Sequence, residues 1–103
     1  MQPEPQFVTS GNFIETDISS LYRMSVHCGV EWLGTLNDVT WRTAVPAGAS
    51  DFMPDAWRQV VAGNESIVLD IVMAPGPDPV VVATANGFDV VYRPAAGPAP
   101  GCD

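Results

Sequence analysis

Two dipeptides, Asn37-Asp38 and Asn86-Gly87, each interrupt a stretch in which successive side chains alternate between apolar and polar. Asn, Asp and Gly tolerate the positive φ that a two-residue hairpin turn demands, and flanking runs of period two read as strands rather than helices. The spacing therefore predicts two hairpins. In the first, the register pairs Leu36 with Val39, Thr35 with Thr40, Gly34 with Trp41, Leu33 with Arg42 and Trp32 with Thr43. Trp32 and Trp41 are then expected on the core face. Glu31 and Arg42 become diagonal neighbours on the other face, within reach of an ion pair. In the second hairpin Val81, Ala83, Ala85, Phe88, Val90 and Tyr92 share one face, and Val80, Val82, Thr84, Asp89, Val91 and Arg93 take the other.

The same period runs through LYRMSVHC, where Tyr22, Met24, Val26 and Cys28 alternate with Arg23, Ser25 and His27. It returns in SIVLDIVMA, with Ile67, Leu69, Ile71 and Met73 inward and Asp70 outward. The Pro-Gly-Pro-Asp-Pro run at 75–79 is a loop that neither helix nor ladder crosses. Only SDFMPDAWRQVVAG reads as helical: Ser50 or Asp51 as cap, Pro54 in the first turn, Trp57, Val60 and Val61 on one face, and Gly63 as the terminating glycine. These elements predict a mostly all-β fold, a small antiparallel β-sandwich or partly open β-barrel of about six strands with one short helical segment lying over an open end. Composition divides the chain into a flexible N-terminal arm at 1–12, a single β domain at 13–93, and a Pro/Ala/Gly-rich flexible tail at 94–103.

Charge narrows the partners. Twelve acids stand against four Arg and no Lys, a formal net of −8. Nucleic acids and anionic membranes are disfavoured, because both are bound through Lys and Arg displacing counterions. A basic protein or a cationic ligand remains compatible with that surface, although solubility is the simpler account of it. No apolar run reaches the length of a membrane span, and MQPEPQFVTSGNF lacks the basic start and apolar stretch of a secretory signal. A cytoplasmic protein, or one that has lost its leader, is expected, with Cys28 and Cys102 as free thiols.

The chain has a single histidine, His27, directly beside Cys28. An imidazole next to a thiol lowers its pKa and takes its proton in cysteine nucleophiles, with His27 or Glu31 as the tuning group for Cys28 here. In a regular strand, however, neighbouring side chains point to opposite faces, so this dyad requires a bulge or tight turn at Gly29. Cys28 as an ordinary core residue is the simpler reading. No metal-ligand spacing, phosphate loop or nucleophile elbow is present, so neither metal nor cofactor is expected. The other candidate surface is the loop bearing Phe52, Met53 and Trp57 with Asp51 and Asp55 on its rim. If exposed it presents an apolar patch to a ligand or partner, and if buried it plugs the end of the sheet.

The succession LYRMSVHCGVEWL, an Asn-Asp turn, VTWRT, a proline-bearing loop with Trp57, SIVLDIV and an Asn-Gly hairpin resembles a group of small actinobacterial β proteins marked by a His-Cys-Gly stretch before a tryptophan-containing strand. The likeness spans residues 18–93 and implies a small β fold with no catalytic residue carried over. The chain departs from that group after Trp57, where RQVVAG replaces the expected glycine and asparagine. The sequence leads to a small acidic module, monomer or homodimer, that binds a protein or small ligand without catalysis. A thiol-dependent enzyme or redox sensor using Cys28, or an acidic inhibitor of a basic partner, is the alternative.

Overall fold

The structure, a computed structural model, describes residues 7–26, 29–45, 52–63 and 65–97. Seven strands form one sheet: β1 (Phe7–Val8), β2 (Ser20–Ser25), β3 (Trp32–Leu36), β4 (Val39–Arg42), β5 (Ser66–Ala74), β6 (Val80–Ala85) and β7 (Phe88–Pro94), with a short helix α1 (Asp55–Arg58) between β4 and β5. Strands make up 49% and helix 5% of the described residues, and the sheet curls into a half-barrel. Its order is β1-β2-β5-β6-β7-β4-β3. Every pairing is antiparallel except the β1–β2 edge.

Alternation decides the inside. Tyr22, Met24, Ile67, Leu69, Ile71, Met73, Val81, Ala83, Ala85 and Tyr92 all face the core, as the period-two runs predict, while Arg23, Ser25 and Asp70 lie outside. The second hairpin keeps its expected register, Ala85 opposite Phe88 across Asn86 (φ 50°) and Gly87 (φ 74°). Phe88 itself, at the mouth of the turn, is exposed rather than inward.

The first hairpin holds its predicted pairing only as far as Gly34. Leu36 faces Val39, Thr35 faces Thr40 and Gly34 faces Trp41, but Trp32, not Leu33, faces Arg42. Leu33 is an extra residue in a bulge, with Gly34 at φ 126°. One inserted residue reverses the facing of the strand residues on its upstream side, here Leu33 and Trp32. Leu33 therefore drops into the core and Trp32 moves to the outer face, while Trp41 stays buried.

The edges of the half-barrel are β1 and β3, and a strand edge with unpaired backbone groups is open to association. Here the chain following β1 crosses to β3. Gly11 N donates to Thr35 O at 2.6 Å, Ser10 Oγ accepts from Thr35 N at 3.0 Å, and Asn37 N donates to Asn12 O at 3.1 Å. The Asn37 side chain accepts from Ile14 N at 2.7 Å and donates to Ile14 O at 2.9 Å. From inside, Tyr22 Oη donates to Leu33 O and Tyr92 Oη to Val30 O, each at 2.5 Å. Burial pushes both phenols up. The Ser10 hydroxyl offsets part of this at Tyr22, and nearby Tyr22 adds to it at Tyr92. Within the stretch expected to be a free arm, Phe7–Val8 thus form a strand, Val8 is buried and residues 9–12 help close the seam.

Helix α1 is a single turn. Pro54 precedes it without a side-chain cap, Val60 is exposed, and the helical geometry ends at Gln59 rather than at Gly63. Trp57 is its anchor, fully buried, with Nε1 donating to Phe88 O at 2.9 Å. Asn86 Nδ2 donates to Ala56 O at 2.8 Å, so the helix is latched to the β6–β7 turn. No helix among the described residues is long and apolar enough to cross a membrane.

Candidate functional site

The loop that could serve either as an apolar surface or as a plug divides between the two. Trp57 is a core plug and Met53 packs partly against the core, leaving Phe52 and Asp55 exposed. Asp51 lies outside the described residues, as do His27 and Cys28. Their neighbours are clear. Strand β2 ends at Ser25, Gly29 N donates to Val26 O at 3.0 Å, and Gly29 has φ 88°, so the chain does not run on as one strand into β3. Glu31, the other group proposed to tune a thiol, is engaged elsewhere: Arg42 Nε donates to its Oε2 at 2.6 Å. The ion pair anticipated between these two residues therefore forms, with the bulge altering the register that brings them together.

That ion pair borders a groove on the outer face where β3, β4 and β7 meet. Its volume is about 550 Å³, and its walls include Trp32, Arg42, Val45, Arg93, Pro94 and Ala95. Strand geometry explains the assembly. Arg42 follows inward-facing Trp41, Arg93 follows inward-facing Tyr92, and β4 pairs with β7 so that Arg42 sits opposite Arg93. The bulge supplies the third wall, since it turns Trp32 outward beside Arg42. The Arg42 guanidinium lies over the Trp32 ring, 5.3 Å from its centroid.

Two of the four cations of an acidic chain thus meet in one place. The others lie apart, Arg23 over the Phe7 ring at 5.7 Å and Arg58 with Nη2 donating to Met53 O at 3.5 Å. Like charges directly opposite on neighbouring strands repel, and among the described residues only Arg42 of this pair has a counter-ion. Arg93 has no ion pair among the described residues. The groove therefore has a planar aromatic wall, apolar flanks and a guanidinium without an ion-pair partner among the described residues.

Arg93 and outward Trp32 were not singled out from the sequence. One signal was available for Trp32, because an isolated glycine within a strand pattern marks a bulge. No local signal announces the β4–β7 pairing that brings the arginines together. Among the described residues no group of three His, Cys, Asp or Glu side chains is placed to hold a metal ion. No protein-family model, curated protein or solved structure matches the chain.

Proposed function

We propose that the protein is a small non-catalytic binding module and that the groove between Trp32, Arg42 and Arg93 is its binding surface. One observation carries this reading: the pairing of Arg42 with Arg93 beside Trp32, on a chain of net charge −8. A guanidinium with no ion pair among the described residues, set beside another, is unfavourable for the free protein and useful to one that receives a polar group there. The lining suits holding rather than reacting. Guanidinium groups stay protonated throughout the physiological range, so they orient and neutralise a ligand without exchanging protons with it. The size of the groove is that of a small-molecule or short-peptide site.

The test is a fragment screen by ¹⁵N–¹H NMR on the full chain, with neutral, cationic and anionic fragments. Saturable shifts centred on Trp32, Arg42 and Arg93 are the expected result. Shifts centred on Phe52 and Asp55 would return the binding surface to the loop before α1. Absence of any saturable response would reject the binding reading.

A further inference from the structure

Resting on the groove as the binding surface, we infer that its ligand is a monocarboxylate borne on a flat apolar body. The charge count comes first. Among the described residues Arg42 and Arg93 contribute two positive charges to the groove and Glu31, paired with Arg42, removes one, a net of one positive unit. A single carboxylate neutralises it. A dianion leaves an excess negative charge in the field of a chain whose net charge is −8.

Geometry then selects the group. A guanidinium presents parallel N–H donors that match the two oxygens of a carboxylate, and Arg93 has no ion pair among the described residues to occupy them. Glu31 engages Arg42 through Nε, which holds that guanidinium over Trp32 and leaves its terminal nitrogens outside the bond. The body of the ligand follows from the remaining walls. Trp32 is a flat half-buried surface, and Val45, Pro94 and Ala95 are apolar with little reach of their own. An aromatic or similarly planar carboxylate places its charge between the arginines and its ring against these groups. Bound there, it also removes the repulsion between Arg42 and Arg93.

Three probes separate the possibilities: 2-naphthoate, the neutral 2-naphthamide and 2-naphthyl phosphate, each titrated while the Trp32 indole N–H is followed by NMR. The indole signal is assigned with Trp32→Phe. Naphthoate is expected to shift it saturably, with naphthamide at least tenfold weaker and the phosphate weaker than naphthoate. Arg93→Gln, an exposed position, should reduce naphthoate to the level of the amide, while Arg58→Gln, remote from the groove, leaves it unchanged. Glu31→Gln should narrow or reverse the preference for naphthoate over the phosphate. Equal binding of the amide, tightest binding of the phosphate, or indifference to Arg93→Gln would overturn the ligand class while leaving the groove as the binding surface. No response of Trp32 to any of the three would overturn both.

Discussion

The hydroxyl of Tyr22 occupies the space that a β-carbon on Gly34 would need. A side chain at position 34 would collide with it, and with Ser10 Oγ at 3.0 Å. The same hydroxyl donates to the carbonyl of Leu33, the bulged residue next to that glycine. Bulge, glycine and tyrosine therefore form one arrangement: the bulge turns Leu33 inward, the glycine admits the phenol, and the phenol satisfies the carbonyl.

Gly34→Ala is predicted to be severely destabilising, by about 3 kcal/mol or more, since it adds a clash to a φ of 126° that L-residues rarely adopt. Tyr22→Phe alone leaves Leu33 O without its donor and should cost about 1–3 kcal/mol. Chemical denaturation of both single variants and the double variant measures their coupling. The double variant is expected to be more stable than the sum of the two losses implies, because removing the hydroxyl relieves the clash.

Alkaline pH should weaken the fold through Tyr22 and Tyr92. Both folded-state pKa values lie above the ordinary 10.0. Stability from these groups is complete below pH 10. Above it the unfolded chain releases phenolic protons that the folded chain retains, so stability falls with a limiting slope of about 1.4 kcal/mol per pH unit for each tyrosine. Tyr92→Phe should flatten the decline, as read from urea midpoints between pH 9 and 11. A slope unchanged by that substitution would mean that Tyr92 titrates normally when folded.

Trp57→Ala should cost about 3–5 kcal/mol, by removing a fully buried indole and its bond to Phe88 O. Phe52→Ala, at an exposed ring two residues before Pro54, is expected to change stability by about 0.5 kcal/mol or less. Thermal unfolding of the two variants distinguishes a plug from a surface. Comparable losses would mean that the segment before α1 packs as tightly as α1 itself.

Asn37→Gly retains a residue suited to the turn's φ of 56° while deleting both side-chain bonds to Ile14. The expected loss is about 1–2 kcal/mol. Hydrogen exchange should report it locally, with the Ile14 amide becoming faster than amides in β5 and β6. Uniform acceleration would show that the seam opens only with the whole domain.

The strands were legible because one-sided burial leaves a period of two in the sequence, and Ile67, Leu69, Ile71 and Met73 display it without interruption. The turns were legible because Asn37, Asp38, Asn86 and Gly87 are residue types that accept positive φ. The groove was not. Its Trp32 wall depends on a bulge of one residue, which alternation cannot register except as the oddity of Gly34 within a strand. Its arginines depend on β7 pairing with β4, and such long-range order leaves no local trace. The loop around Trp57 left two readings open for a different reason, since an aromatic that seals the end of a sheet and one that receives a partner have the same local pattern; burial of Trp57 selects the first.

The pairing of β7 with β4 also gives the groove a place in time. A chain emerging from synthesis has Trp32, Glu31 and Arg42 in hand while most of β5, β6 and β7 is still to be made. The bond from Tyr92 to Val30 spans 62 residues of sequence, and Arg93 is the residue that follows Tyr92. The groove is therefore complete only when the chain has been made through Arg93 and β7 has folded against β4. On the proposed reading, a ligand seated between the two arginines would recognise folded molecules and pass over chains still short of Arg93, shifting the balance toward the folded form by mass action.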